Sequence, residues 1–423
     1  MKVFLDIVGC RLNQAEIEQL ALDLTARGQE VVANPTEADY VLINTCCVTS
    51  KAAADSRKMV RHYQRETEAK VLAMGCWVSA FPHAAAELVD INALFTNENR
   101  DQVLKLFNTT EIGNAFLNEE SVKPNLGNRA RTRSFIKVQE GCNNVCSYCL
   151  TRIARGKSRS IPAEEVVRQI AQSEDLGVKE VVLTGVQIGA WGKDLEGNLR
   201  IADLIEAVLI QTSVPRIRIS SIEPWDVDER LLACFKDPRL CPHLHLPLQS
   251  GSDTILKHMA RPITTTRYRE LIETIGEQLP ELAITTDIIV GFPGETEEMF
   301  ANSLAFVERL GFAKVHVFPY SRRIGTPAAS FAQQVPEDVK KERAQRMQAV
   351  AAKSAARFAQ TFVGRTMEVL FEHPGLDGRP TGLTGNYLRV KLPPQTEDLA
   401  GRTMAVRLLE VREDWLEGCL SES

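Results

Sequence analysis

The sequence predicts an α/β protein in three consecutive parts: an N-terminal parallel α/β domain, a central partial (β/α)6 barrel and a small C-terminal antiparallel β-barrel. Three observations carry this prediction. Short apolar runs alternate with helical stretches from the start to about residue 105, and alternation of that kind marks parallel sheets with crossover helices. The same rhythm returns from Ser134 to about 330. After Gly364 the runs alternate apolar with polar residues between Gly and Pro turns, the pattern of a small barrel of hairpins.

In the first part, Val3–Val8, Tyr40–Asn44 and Lys70–Met74 read as strands, with helices over Gln14–Arg27 and Thr49–Arg65 between them. Each strand runs directly into a cysteine step: Gly9-Cys10, Thr45-Cys46 and Gly75-Cys76. Ligands of open α/β sheets gather at the carboxyl ends of the strands, so Cys10, Cys46 and Cys76 are expected to converge on a shared metal. Cysteine is also a common buried residue, which accounts for one such position more easily than for three in register. The stretch from about 106 to 134 reads as a linker with a basic end, Arg129, Arg131 and Arg133. A solvated charge run is the plain reading of that end, and contact with RNA phosphate the alternative.

The second part has strands at Phe135–Val138, Glu180–Leu183, Ile217–Ser220, Leu244–Leu246, Ile284–Val290 and Lys314–Phe318, with helices such as Ala163–Leu176 and Ile201–Ile210. Six βα repeats fit a parallel barrel that stops short of the usual eight. Directly after its first strand comes Gly141-Cys142-Asn-Asn-Val-Cys146-Ser-Tyr148-Cys149, three thiols at C-x3-C-x2-C spacing. Iron–sulfur clusters are normally closed by four cysteines, so this loop implies one iron left open for a non-protein ligand. Structural zinc would ask for a fourth nearby ligand, and the next Cys or His downstream are Cys234 and His243. A charged helix over about Pro336–Gln360 leads to the tail, with strands at Met367–Glu372, Tyr387–Leu392 and Thr403–Leu408.

Composition narrows the class. The chain has 423 residues, 44% hydrophobic content and a net charge of −5, so nucleic-acid contact would come from local patches. An acid follows three apolar residues at the N-terminus, which reads as neither a signal peptide nor a membrane span. A cytoplasmic location follows as the expectation, and in that reducing compartment ten cysteines point to metal or catalysis.

With both cysteine sets on the page, the chain resembles the radical S-adenosylmethionine (radical SAM) methylthiotransferases, and most of all the branch acting on threonylcarbamoyladenosine in tRNA. The resemblance rests on Val8-Gly-Cys10-Arg-Leu-Asn13-Gln14, Ile43-Asn44-Thr-Cys46-Cys47-Val-Thr49, Ala54-Asp-Ser-Arg57, Lys137 through Cys149, Arg155-Gly, Ser220-Ser-Ile-Glu223-Pro, His245-Leu-Pro-Leu-Gln249-Ser-Gly251, Asp287 through Glu295 and Phe318-Pro-Tyr320-Ser. It implies three domains: a methylthiotransferase α/β domain over 1–108, a radical SAM barrel over 128–357, and a TRAM-like RNA-binding β-barrel over 360–423. It also implies two 4Fe-4S clusters, one on Cys142, Cys146 and Cys149 that binds S-adenosylmethionine, and an auxiliary one on Cys10, Cys46 and Cys76. The expected reaction starts with a 5′-deoxyadenosyl radical that takes hydrogen from adenine C2, next to the anticodon. Sulfur and methyl then follow. Expected partners are the tRNA anticodon stem-loop, a reducing electron donor and a sulfur donor, with no membrane. Alternatives are a methylthiotransferase acting on isopentenyladenosine tRNA or on a ribosomal-protein aspartate, and an iron–sulfur protein that binds RNA without modifying it.

Further candidates for cofactor contact are Tyr148 before the third cysteine, Thr184 and Gly185 after the second barrel strand, Glu223, Gln249 and Asp287. A strand-ending turn would explain Gly185, and capping or structural ion pairs would explain Glu223 and Asp287. Arg152, Arg155 and Arg159 read as solvated by default, with phosphate or carboxylate contact the sharper option. Cys47 reads as a buried thiol pointing away from Cys46, Cys234, Cys241 and Cys419 as non-ligand cysteines, and the seven histidines show no ligand spacing. Two features depart from the family pattern: Trp77-Val-Ser79 after Cys76, and a tail with seven Lys/Arg against eight Asp/Glu between Gly364 and Asp414.

Overall fold

The computed structural model describes residues 1–90, 93–107, 132–374, 377–395 and 397–421; the basic positions Arg129 and Arg131 lie outside them. The chain divides into two units. The first comprises Met1–Ala130, Glu140–Asn144 and Cys149–Arg159, and the second Arg131–Gln139, Val145–Tyr148 and Ser160–Ser423.

The first unit is built on strands β1 (Lys2–Ile7), β2 (Glu30–Val32), β3 (Tyr40–Thr45), β4 (Lys70–Gly75) and β5 (Leu94–Phe95), in the order β2-β1-β3-β4-β5, with every pair parallel. Alternate residues of the central strands feed opposite faces. Val41 and Ile43 join Ala53, Val60 and Ala73 in one core, while Leu42 joins Ile17, Leu20, Leu24 and Leu72 in the other. A strand buried on both faces reads as a continuous apolar run, which is why β3 was legible as Val-Leu-Ile. The helix Arg11–Ala26 covers one face and Ser50–Glu66 the other, the latter started by Thr49, whose hydroxyl accepts from the Ala52 N–H at 3.0 Å. The order 2-1-3-4-5 is that of a doubly wound sheet whose direction of winding reverses between β1 and β3, and such a reversal leaves a crevice at the strand ends.

In the second unit, β6 (Arg133–Lys137), β7 (Glu180–Thr184) and β8 (Arg216–Ile219) form a parallel sheet in the order β8-β7-β6, and β9 (His243–His245), β10 (Ala283–Val290) and β11 (Lys314–Pro319) form another in the order β9-β10-β11. Parallel bridges Ile217↔Leu240 and Ser221↔His245 join the two. The six strands make a barrel left open between β6 and β11 among the described residues, as six rather than eight repeats require.

The tail closes into a five-stranded barrel, β12 (Thr366–Glu372), β13 (Thr381–Thr384), β14 (Arg389–Lys391), β15 (Thr403–Val411) and β16 (Leu416–Leu420), in the order β12-β13-β14-β16-β15. Its pairs are antiparallel except β14 with β16, which run parallel with Val390 opposite Leu416. The helix Glu337–Gln360 links the two cores of this unit: Ala344, Met347 and Ala351 lie in the large barrel's core, Ala359 in the small one's. A buried charge cluster fastens the small barrel. Glu180 pairs with Arg218 and Arg216 at 2.9 Å each, and both guanidinium groups donate to the Leu383, Thr384 and Gly385 carbonyls. Arg218 also lies 4.1 Å from the Tyr387 ring centre. Arg133, expected to be solvated, instead pairs with Glu372 at 2.5 Å. No helix among the described residues is long and apolar enough to cross a membrane.

Candidate metal and cofactor sites

In the first unit the three strand-end cysteines come to the crevice. Cys10 caps the helix that follows β1, Cys46 follows β3, and Cys76 begins the short helix after β4. Cys10 is exposed, Cys46 and Cys76 are buried. Burial pushes the Cys76 thiol up to about 12, and it raises Cys46 as well. Bound metal is the usual means of holding such groups as thiolates. A shared tetrahedral zinc would bring its sulfurs to about 3.8 Å of each other. Among the described residues, the one group of three His, Cys, Asp or Glu ligand atoms mutually within 4.8 Å is His245, Asp287 and His316. The Cys10, Cys46 and Cys76 sulfurs are spaced more widely than a single ion allows, which fits thiols serving separate irons of one cluster.

Sequence reasoning did not anticipate what surrounds these thiols. Asn13 and Glu16, one and two turns into the first helix, are buried on its inner face. Asn13 Nδ2 donates to the Val8 and Thr45 carbonyls at 3.1 and 3.0 Å, and its Oδ1 accepts from Cys10 Sγ at 3.5 Å. Asn44 Nδ2 donates to Glu16 at 3.0 Å. Arg155, read from sequence as solvated, is 3% exposed. It places all five of its N–H donors: Nε to Cys76 Sγ at 3.1 Å, Nη1 to Glu16 and Glu140 at 2.7 and 3.1 Å, and Nη2 to Asn13 and Glu16 at 2.9 and 3.1 Å. Burial would lower the Arg155 pKa, but Glu16 and Cys76 outweigh it, so the guanidinium stays charged. Arg100 completes the cluster by pairing with Glu16 and with Glu140 at 2.6 Å. Asn97 Nδ2 points at Cys76 Sγ from 3.7 Å. Arg152 and Arg159 remain largely exposed, and Cys47 is buried in the apolar core.

Gly75 sets the turn that delivers Cys76. Its φ is +98°, and a Cβ there would lie 2.2 Å from Asn44 Oδ1 and 2.8 Å from the Thr45 carbonyl oxygen. Gly75→Ala is therefore expected to cost roughly 2–4 kcal/mol and to lower bound iron. Urea denaturation with iron analysis checks this, and a variant of parental stability would show that the turn relaxes without cost.

The cysteine loop is shaped the same way. Gly141 has φ +72°, and a Cβ would lie 2.0 Å from the Lys157 carbonyl oxygen. Backbone N–H groups of Asn144 and Thr151 point at Cys142 and Cys149 Sγ from 3.3 and 3.4 Å. In the second unit, Ser147 N–H donates to the Met259 carbonyl and Ala328 N–H to that of Ser147, which anchors the stretch carrying Cys146 and Tyr148. The Tyr148 ring meets Phe292 edge-on at 6.3 Å.

The remaining candidates lie on or just after successive barrel strands. Thr184 ends β7, and a Cβ on Gly185 would lie 2.9 Å from the Gln139 carbonyl oxygen, so close backbone approach, rather than the turn alone, requires glycine there. Glu223 holds Arg261 in a two-point ion pair at 2.9 and 2.7 Å, with Arg261 stacked 4.7 Å from Trp225. Gln249 has φ +78°, and its N–H donates to the Asp287 carbonyl at 2.8 Å. Asp287 lies inside β10, not at its end, and its carboxylate is 3.3 Å from His245 Nε2. Thr285 Oγ1, 2.9 Å from His245 Nδ1, orients that ring.

Residues 136–307 match the Radical SAM superfamily and residues 2–96 the uncharacterized protein family UPF0004. Over 97% of its length the chain is 34% identical to the threonylcarbamoyladenosine tRNA methylthiotransferase MtaB of Bacillus subtilis, covering 94% of that protein. It belongs to the radical SAM methylthiotransferase family. A second methylthiotransferase relative, the tRNA-2-methylthio-N(6)-dimethylallyladenosine synthase of Acetivibrio thermocellus, is 32% identical over 98% of this chain and 90% of its own. Among solved structures, the radical S-adenosylmethionine methyltransferase TsrM of Kitasatospora setae shares the fold with a TM-score of 0.56 at 14% identity, covering 77% of this chain and 73% of its own.

Strand pairing, not sequence spacing, brings the histidines together. His245 and His316 flank Asp287 across three adjacent strands, so their proximity is a product of parallel pairing and has no local spacing to read. The signal for Asn13 and Glu16 was present: both fall on the apolar face of the first helix, where a polar residue needs a partner.

Proposed function

We propose that this methylthiotransferase converts N6-threonylcarbamoyladenosine next to the tRNA anticodon to its 2-methylthio derivative. The observation that carries the reading is the convergence of Cys10, Cys46 and Cys76 at the strand-end crevice, in a chain that separately holds the Cys142, Cys146 and Cys149 loop. When bound, 4Fe-4S clusters and S-adenosylmethionine supply one-electron reduction, hydrogen abstraction at an unactivated carbon and sulfur transfer. The protein contributes the holding groups. Six thiolates would serve as ligands, three in each set, one fewer than the four that normally close such a cluster. Gly185 lets the Gln139 backbone approach closely where β7 ends, and Tyr148, within the loop, packs against Phe292. Glu223, Gln249 and Asp287 offer further polar groups, with Arg261 fixing the Glu223 carboxylate and His245 that of Asp287.

The functional division proposed is residues 1–108 for the auxiliary cluster, 128–357 for radical chemistry and 360–423 for RNA contact. Cytoplasmic tRNA is the substrate, and an electron donor and a sulfur donor complete the system. The dimethylallyladenosine synthase among the relatives favours isopentenyladenosine tRNA as the second reading.

The test is mass spectrometry of nucleosides from tRNA incubated anaerobically with reconstituted enzyme, S-adenosylmethionine, sulfide and a reductant. The expected product is 2-methylthio-threonylcarbamoyladenosine. Formation of 5′-deoxyadenosine with every tRNA nucleoside unchanged would keep the radical chemistry and remove the substrate assignment.

A further inference from the structure

Arg155 lies six residues beyond Cys149, at the C-terminal end of the short helix Thr151–Arg155, yet its guanidinium is spent on the other thiol set. Its Nε–H is aimed at Cys76 Sγ from 3.1 Å, and its Nη2 donates to Asn13 Oδ1, the same oxygen that accepts from Cys10 Sγ. We infer that Arg155 is a positioning residue for the cluster on Cys10, Cys46 and Cys76, setting both the orientation of Cys76 and the reduction potential of that cluster. The inference rests on the assignment of those three thiols under the proposed function.

The direction of the effect follows from charge. Hydrogen bonds to ligand sulfur, and positive charge near it, favour the reduced and more negative state of an iron–sulfur cluster, which raises its potential. Around Cys76 the buried charges balance: Arg155 and Arg100 face Glu16 and Glu140. Removing the Arg155 guanidinium deletes the hydrogen bond and leaves one carboxylate in excess beside the thiols. Both changes oppose reduction. An ion pair remote from the thiols would hold the helices together without shifting a potential, so the potential shows whether Arg155 acts on the cluster.

The experiment isolates the cluster. Cys142→Ala, Cys146→Ala and Cys149→Ala combined leave the Cys10, Cys46 and Cys76 set as the remaining site in anaerobically reconstituted full-length protein. Redox titration followed by electron paramagnetic resonance then compares this background with R155K and R155M added. The expected midpoint is most negative for R155M, with R155K between it and the parent because charge is kept while the planar fork is lost. An iron-replete R155M that titrates at the parental potential overturns the inference and leaves the cluster assignment standing. If the triple-alanine background holds no cluster that a further Cys76→Ala removes, the assignment itself fails and the inference with it. Should R155M not retain iron, the unmutated residue is read directly in the same background: protein labelled with 15N-arginine is expected to show a 15N hyperfine coupling on the reduced cluster, and its absence overturns the proposal.

Discussion

Cys76→Ala is expected to reduce methylthiolated nucleoside to less than about 1% of parent, because even partners that only orient a metal ligand cost up to about 100-fold when removed. Bound iron should fall from about eight to about four atoms per chain, one four-iron cluster being lost. Cleavage of S-adenosylmethionine to 5′-deoxyadenosine is expected to persist, since Cys142, Cys146 and Cys149 are untouched. Cys146→Ala gives the complementary result, with both 5′-deoxyadenosine and product lost. Measuring iron, 5′-deoxyadenosine and modified nucleoside on the same preparations separates the two thiol sets. Product retained by Cys76→Ala or Cys10→Ala would remove the first set from the reaction.

The second large effect concerns stability. Glu180 is 1% exposed and faces Arg218, Arg216 and Arg133. Burial alone would raise its carboxyl, but Arg218, then Arg216 and Arg133, outweigh it and hold the group at about 2. Glu180→Gln leaves buried guanidinium groups without their counter-charge, at a cost of about 3–5 kcal/mol, which shifts the melting transition of this unit by on the order of 10 °C. The pH dependence has a definite sign. With the folded value below the unfolded one of about 4.3, the carboxylate's contribution is fully present above the unfolded value and is lost as pH falls from there toward about 2. It amounts to roughly 3 kcal/mol. Urea denaturation at pH 7 and at pH 3 should therefore show parent and Glu180→Gln converging in acid; an undiminished gap at the lower pH would refute this account.

Much of the fold was legible because its strands are buried on both faces and announce themselves as apolar runs. All six strands of the large barrel were placed within two residues of their observed ends, Glu180–Thr184 and Ala283–Val290 among them. The strand Leu416–Leu420 escaped, as did several that periodicity cannot see. Glu30–Val32 and Leu94–Phe95 are three and two residues long, too short to establish a period. Thr381–Thr384 is a Thr-Gly-Leu-Thr sequence with little apolar signature. It forms a strand because the absence of a side chain at Gly382 lets it approach Leu370, whose carbonyl oxygen would be 2.6 Å from a Cβ.

The site divided along similar lines. Cysteines at strand ends were readable because strand ends are readable. The arginine that serves them was not: Arg155 and its partner Glu16 are 139 residues apart, and among Arg152, Arg155 and Arg159 nothing local distinguishes the one that is buried. Glu223 and Arg261 stand 38 apart and pose the same problem.

The interleaving of the two units bears on how this protein can be divided. The chain leaves the first unit near residue 130 and returns to it twice, with Glu140–Asn144 and with Cys149–Arg159. Those returning segments supply Glu140 and Arg155 to the charge cluster, the Ala154 carbonyl to Asn97, and Leu150 and Ala154 to the apolar core around Trp77. A polypeptide ending at residue 130 would keep Cys10, Cys46 and Cys76 but strip the buried Glu16 of Arg155 and open one wall of that core. The N-terminal region is thus contiguous as a stretch of sequence without being separable as a folding body, and the radical-enzyme part of the gene carries the last pieces of its neighbour.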